Sequence, residues 1–325
     1  MSALRRLALG FPLDWSHRRG YSFSGNAKAG AGPYYIEWNA GSGVFGEQWD
    51  EAPRDPNGVL LTGPYYHPIR IAQFALHRHS AWLACGSESA RADFLAQAVW
   101  LRDNQQHRGV PGLYRFTFSW DKYGAEPGWW SAMAQGEAIS VLLRAEHTAP
   151  GNGYGDAAVR AAEPFRYEIE RGGVVWRRAG DVFFEEIANE HAPHVLNGCV
   201  FALWGIWELR ERTGEAWLDS LIEGCGETIR RWLPRFDTGW WTLYSLLRSA
   251  AGRPHVATLK YHEFHIAQMR VLAAMFETGA FADAADRWAA YVERPQCRTR
   301  LITATMRSLP ERMLKRDTVR GGAHT

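Results

Sequence analysis

Residues 182–209 read VFFEEIANEHAPHVLNGCVFALWGIWEL. A strand-like apolar run stops at Glu185 and Glu186, and a polar elbow with His191 and His194 follows. The next stretch has apolar residues at 196, 199, 200, 203 and 207, and also at 204 and 206. A helix apolar nearly all round must be buried. The segment at 216–233 is amphipathic instead, which suits a partner facing water on one side. The same pairing recurs along the chain. HPIRIAQFALHRHSAWLA places Ile69, Ala72, Leu76 and Leu83 on one stripe, and SESARADFLAQAVWLRDNQ follows with Phe94, Leu95, Ala98 and Leu101. SAMAQGEAISVLLRAEH pairs with a helix near 155–170, and a helix from about 262 to 277 pairs with one near 280–292. Inner helices buried on both sides with outer helices facing water describe a mainly α chain, an α/α toroid or a similar double layer of about four helical hairpins.

Short strands are expected between the helices. LYRFTFSW alternates Tyr114, Phe116, Phe118 and Trp120 with Arg115, Thr117 and Ser119, the period of a strand. WWTLYSLL, near 240–247, and PYYIEWNAG, near 33–41, read the same way. The chain thus divides into an irregular N-terminal arm with short strands (1–60), a helical domain (61–292) and a C-terminal tail (293–325) with eight arginines and lysines against three acids. The loops entering the inner helices, PYYHP, EPGWW, FFEEIANEHAP and LKYHEFH, hold most of the unusual polar and aromatic residues. A concave face built from them is the expected binding site.

Composition narrows the function classes. Hydrophobic residues are 46% and charged residues 22% of 325, enough for a sizeable core. A net charge of +2 creates no field that demands nucleic acid or an anionic membrane. Only four basic residues are lysine (Lys28, Lys122, Lys260, Lys315), and the arginines that remain suit carboxylates or sulfates. Many of the 16 tryptophans are expected in the core; an indole is also a flat platform for a sugar ring, and composition does not separate the two. The four cysteines form no C-x-x-C pair, so buried thiols are expected rather than zinc or a disulfide framework. No stretch approaches a membrane span. The N-terminal MSALRRLALGFPLDW is broken by Pro12 and Asp14 too early for a secretory signal, so a cytoplasmic protein is expected.

Three segments hold candidate chemistry: Glu185 and Glu186; TGWWTLYSLLRS with Tyr244 and Arg248; and KYHEFH with Tyr261, His262, Glu263 and His265. The H-x-x-H spacing lacks the H-E-x-x-H pattern and a third ligand, so no metal is expected. Four stretches then carry a resemblance: GPYYHPIRIAQFAL at 63–76, EPGWWSAMAQGEAISVLLRA at 126–145, FFEEIANEHAPHVLNGCVFALWGIWEL at 183–209, and DTGWWTLYSLLR at 237–248 with YHEFHIAQM at 261–269. In this order they resemble the C-terminal domain of the D-glucuronyl C5-epimerases, which convert glucuronic to iduronic acid within heparan-type chains.

The resemblance implies an incomplete α/α toroid and a uronate C5-epimerase acting on a polysaccharide or glycoconjugate, with no cofactor and no metal. Such an enzyme removes the C5 proton from one face of the ring and returns one to the other, which requires a base and an acid on opposite sides. The flanking pair of the family falls on Glu186 and Tyr261, and a supporting tyrosine falls on Tyr244. The arginine that grips the carboxylate comes three residues after that tyrosine; here Leu247 holds the place and Arg248 stands one later. The family tyrosine that directly follows the glutamate is Ile187. Glu185, His262, His265, Tyr66, Trp129, Gln135 and Asn197, all in or beside the matching stretches, are expected at the substrate. A polysaccharide lyase using the same C5 abstraction followed by β-elimination, and a non-catalytic carbohydrate-binding relative, are the alternatives. A uronate-containing polysaccharide or oligosaccharide is the expected partner, and a homodimer is one assembly open to the chain.

Overall fold

The computed structural model describes residues 21–23, 32–38, 49 and 52–314. The chain is mainly helical, with small two-stranded sheets. After a strand pair, β1 (Tyr21–Phe23) and β2 (Ile36–Trp38), comes a first helical hairpin of α1 (Pro68–Cys85) and α2 (Glu88–Asp103). A second joins α3 (Ala132–Thr148) to α4 (Tyr154–Ala162). An antiparallel pair, β3 (Val175–Arg178) and β4 (Asp181–Phe184), leads into a third, α5 (Leu196–Thr213) with α6 (Trp217–Phe236). A second antiparallel pair, β5 (Leu243–Arg248) and β6 (Pro254–Val256), leads into a fourth, α7 (Leu259–Phe276) with α8 (Gly279–Glu293). Helix α9 (Pro295–Leu314) packs on α8 and occupies part of the basic C-terminal segment.

Helices α1, α3, α5 and α7 touch in succession, and each packs against the helix that follows it. This is a succession of four packed hairpins, an order compatible with an incomplete toroid. Burial separates the layers. Helix α3 is buried continuously from Ala132 to Ala145, and α5 from Leu196 to Ile206. Helix α6 instead buries one stripe, with Leu218, Leu221, Ile222, Cys225, Ile229, Trp232, Leu233 and Phe236 at helical spacing. Ser131 Oγ accepts the Ala134 amide and fixes where α3 begins, while Thr258 Oγ1 does the same for Tyr261 at the start of α7.

The inner helices α3 and α5 cross at backbone contact. A Cβ on Gly136 would lie 2.4 Å from Ala202 Cα, and one on Gly205 would lie 2.1 Å from the Gly136 carbonyl oxygen. One turn or two further on, fully buried Arg144 (α3) and Glu208 (α5) form a bidentate pair at 2.7 and 2.8 Å. Part of the N-terminal arm belongs to the same core. Tyr34 is fully buried against Phe201 and Trp204, and the Arg144 guanidinium donates to the Gly32 carbonyl at 3.0 Å.

Several local expectations are corrected. LYRFTFSW is not a strand. Its alternation does divide buried Tyr114 and Phe116 from exposed Arg115 and Thr117, but among the described residues no neighbouring strand runs beside it. The Tyr114 amide is satisfied by Gln135 Oε1, and Phe116 exchanges backbone bonds with Gly128 and Trp129. KYHEFH is not a loop, because α7 starts at Leu259 and carries all six residues. The helix expected near 155–170 stops at Ala162; Pro164 follows, and two short 3-10 turns take over. Leu83 lies at the open end of α1 and is 44% exposed, although Ile69, Ala72 and Leu76 of its stripe are buried. The expected arm strand near 33–41 is represented by β2, and its last residues fall outside the described ones. Among the described residues no helix is long and apolar enough to cross a membrane, and no group of three or more His, Cys, Asp or Glu could hold a metal.

Candidate active site

The two glutamates follow β4 directly, Glu185 still bonded to its ladder and Glu186 at the bend where the chain leaves it, and their side chains part there. The Glu185 amide extends the ladder by donating to the Val174 carbonyl at 3.0 Å, and its carbonyl accepts the Ala132 amide at the start of α3 at 2.9 Å. Its side chain turns into the elbow. One carboxylate oxygen meets His194 Nδ1, and the other accepts the His194 amide at 3.0 Å. Ala192 (φ 35°) and His194 (φ 50°) are left-handed without being glycine, a conformation costing about 1–2 kcal/mol each. Glu185 latches that strained turn and is sealed from solvent.

Glu186 faces the other way, beneath the loops that enter the helices. It is 3% exposed. Tyr244 of β5 donates its hydroxyl to Glu186 Oε1 at 3.5 Å, a long bond, and Oε2 has no hydrogen-bond partner among the described residues. The carboxyl lies on the first turn of α5, where a Cβ on Gly198 would come within 2.3 Å of Oε2 and 2.6 Å of Glu186 Cβ. The glycine of VLNG is therefore a seat for this side chain. The Tyr244 ring stands edge-on to that of Tyr261, centroids 4.6 Å apart at 74°. Tyr261 is half-buried on the first turn of α7.

A third phenol completes the group. Tyr123 closes a short 3-10 turn, Asp121–Tyr123, and its carbonyl accepts the Asn189 side chain of the elbow at 2.7 Å. Tyr123 is buried and lies close enough to Glu186 and Tyr261 for both to act on its titration. Ile187, in the place of the family tyrosine, is fully buried among apolar neighbours. Tyr123 instead brings a phenol to Glu186 from another part of the chain. Sequence reasoning missed it, and the signal was slight: a turn-forming DKYG with one of the few lysines beside it.

Burial raises Glu186 from 4.5 to about 8; the Tyr244 hydrogen bond opposes this, the Glu185 charge adds to it, and the Lys122 ammonium opposes it. Burial also pushes Tyr244 and Tyr123 well above the ordinary phenol value, with the Glu186 charge reinforcing it. Near neutral pH the carboxyl is mostly protonated while able to exchange its proton, and two neighbouring phenols are held as proton donors. Behind it, fully buried Glu137 of α3 accepts from Gln73 at 2.9 Å, and burial raises its titration well above the usual range.

The remaining candidates fall elsewhere. His262 stacks on Trp241 at 3.9 Å and hydrogen-bonds through Nδ1 to Thr242 and through Nε2 to the Trp288 carbonyl. His265 Nδ1 meets Thr242 Oγ1 at 2.9 Å. Both rings are sealed in the core, where burial lowers their titration to about 4 and about 3, so they stay neutral. Gln135 spends its amide on the Gly112 and Ala161 carbonyls and the Tyr114 amide. Trp129 stacks on Phe116 at 3.7 Å. Asn197 precedes Gly198 at the seat of Glu186; its carbonyl accepts from Gln268, and its Oδ1 has no hydrogen-bond partner among the described residues. Arg248 is exposed and donates to the Gly252 carbonyl of its own hairpin at 3.0 Å. Tyr66 is 37% exposed, bonded to Asp55 and stacked on Trp100 at the edge of a hollow of about 350 Å³ that also includes Gln106, Arg115 and Thr117. Glu186, Tyr244 and Tyr261 are thus brought together, while His262, His265, Gln135 and Glu185 serve packing and backbone positions.

Residues 107–290, more than half of the chain, match the family described as D-glucuronyl C5-epimerase C-terminus. A D-glucuronyl C5-epimerase of Caenorhabditis elegans is 32% identical over 220 residues, 61% of this chain and 34% of the relative. An uncharacterized protein of Methanocaldococcus jannaschii is 27% identical over 161 residues, 48% of this chain and 50% of the relative. The chain therefore spans a third to a half of the length of these relatives. The matched region takes in Tyr123, Glu186, Tyr244 and Tyr261 together, and the chain belongs to the D-glucuronyl C5-epimerase C-terminal family.

Proposed function

We propose that the protein is a uronate C5-epimerase, acting on a glucuronyl unit of a polysaccharide or oligosaccharide. The observation that supports this best is the grouping of an exchangeable carboxyl, Glu186, with the phenols of Tyr244, Tyr261 and Tyr123. In its carboxylate form Glu186 takes the C5 proton from one face of the sugar ring. The electron pair left at C5 spreads onto the adjoining carboxylate. The Tyr261 hydroxyl then gives a proton to C5 from the opposite face, which inverts the centre. The reverse reaction exchanges the two assignments. With Glu186 titrating at about 8, about a tenth of it is ionised at pH 7, so the base is available without being fully charged in the empty site. Tyr244 holds Glu186 in place and can pass protons between it and Tyr261. Tyr123 brings a further phenol near Glu186, a donor that Ile187 cannot supply.

Ile187 is walled by apolar neighbours, as a non-catalytic relative would have it, but the approach of Tyr123 to Glu186 from another part of the chain favours an enzyme. A lyase would call on His262 and His265, which are enclosed in the core. The test is incubation with heparosan, an unsulfated glucuronate polymer, in deuterated water. Deuterium at C5, without growth of unsaturated-uronate absorbance, is the expected result. Folded protein that leaves C5 unlabelled in every uronate polymer tried would refute the proposal.

A further inference from the structure

Carbanion character beside a carboxylate requires a cation to hold the charge that moves onto the carboxylate oxygens. Arg248, the arginine of β5, is exposed and occupied with the Gly252 carbonyl. A different cation stands at the phenols. Lys122 is exposed, its Nζ 5.0 Å from the Tyr123 ring centroid and 5.8 Å from that of Tyr244. It shares its short turn with Tyr123, and that turn is pinned at both sides. Trp120 and Ala125 exchange backbone hydrogen bonds across its base, and Asn189 of the elbow holds the Tyr123 carbonyl.

Lys122 is also held from the far side. Its Nζ lies 2.7 Å from His255 Nε2, and His255 Nδ1 lies 2.8 Å from Ser245 Oγ. An ammonium only donates, so Nε2 accepts and the imidazole proton sits on Nδ1, facing Ser245. The His255 ring packs on Tyr244 at 4.9 Å. A chain from Ser245 through His255 thus steers the ammonium over the edge of the three-phenol group. An ammonium has three donors, so it can keep His255 and still meet a carboxylate. The charge already reaches Glu186, whose titration it lowers.

We infer that Lys122, steered by His255, grips the substrate's C5 carboxylate and stabilises the charge that develops on it. This rests on the epimerase reading and adds to it the source of the cation. It also sets specificity: a neutral hexose unit would leave the ammonium without its counter-charge. Glu186 and Tyr261 still exchange the C5 proton, no other bond of the sugar breaks, and Lys122 transfers no proton.

The experiment compares wild type, Lys122→Met, Lys122→Arg and Arg248→Met by C5 deuterium uptake into heparosan. Binding of heparosan and of its carboxyl-reduced form is measured alongside. Lys122→Met should lose uptake by 100-fold or more, on the order of one lost transition-state contact. It should weaken heparosan binding about tenfold while leaving the affinity for the carboxyl-reduced polymer unchanged, a split that mere misfolding cannot produce. Lys122→Arg should restore at least a tenth of wild-type uptake. Arg248→Met should cost less than Lys122→Met. If wild type labels C5 and Lys122→Met labels it equally well, or if Arg248→Met is the more damaging variant, the assignment of Lys122 falls while the epimerase reading stands. If wild type labels nothing, the epimerase reading falls and takes this assignment with it.

Discussion

Glu185 and Glu186 are neighbours, but one is still bonded to the β4 ladder and the other sits at the bend that follows, which sends one carboxylate into a histidine latch and the other toward Tyr244 and its neighbours. Burial then gives Glu186 its chemistry, because removing a carboxylate from water favours the protonated form. The Tyr244 hydroxyl works against that by donating to the charged form. Tyr244→Phe removes the opposition, so Glu186 should titrate higher and the base-limited limb of any pH profile of C5 exchange should move to more alkaline pH. A limb that stays in place, or moves toward acid, would show that Tyr244 does not act on Glu186. At this scale the sequence disclosed the glutamate pair and both α7- and β5-borne tyrosines through family likeness. It did not disclose Tyr123 or Lys122. Their approach depends on a turn closed by Gly124 (φ 63°) and on Asn189 reaching across from the elbow, and neither leaves a periodic trace in a sequence. His262 and His265 misled for the opposite reason. Polar residues at an inner-helix N-terminus look functional until His262 is seen bonded at both ring nitrogens, to Thr242 and the Trp288 carbonyl, and His265 sealed in the core with its Nδ1 on Thr242.

Helical pairing was legible because burial on all sides and burial on one side leave different patterns, as α5 and α6 show. Strands were less so. LYRFTFSW has the right alternation but, among the described residues, no strand beside it to complete a ladder, and strand partners lie far along a chain where local pattern is silent. The glycines of MAQGEAIS and VLNG carry their own message at this scale. Gly136 and Gly205 let α3 and α5 cross with backbones touching, and Gly198 gives room to Glu186. Gly205→Ala would gain up to about 1 kcal/mol of helix propensity. The new Cβ would meet the Gly136 carbonyl oxygen at 2.1 Å, and a backbone atom inside two packed helices cannot step aside. Overpacking wins, with a net loss of about 2 kcal/mol expected. Urea unfolding checks this; a variant as stable as the parent would mean that the two helices are not in the described contact.

Over the whole molecule, buried titratable groups set how stability depends on pH. Burial holds His67, His79 and His265 at about 3 and His262 at about 4, against 6.5 in the unfolded chain. Their stabilising contribution is complete above 6.5 and is lost as pH falls toward those values. Glu186 is the reverse case, raised from 4.5 to about 8, so its contribution is complete below 4.5 and is lost as pH rises through 8. Glu137 and Glu185 are raised as well. Each group changes stability by about 1.4 kcal/mol per pH unit within its own window. Between 4.5 and 6.5 the two classes oppose each other; outside that range one class acts alone. Urea midpoints should therefore peak between about pH 4.5 and 6.5 and fall on both sides, and Glu186→Gln should soften the alkaline fall. A profile that rises steadily to pH 8 would contradict the burial of these carboxyls.

The same carboxyl joins stability to catalysis, and one measurement reaches it most directly. The rate of deuterium uptake at C5 of heparosan is followed from pH 6 to pH 9 for the wild-type chain and for Glu186→Gln. The expected wild-type rate climbs to a plateau with its midpoint near 8, and the variant loses about 100-fold or more and shows no such limb. Uptake by Glu186→Gln at the wild-type rate, with the limb intact, would mean that a different group takes the C5 proton.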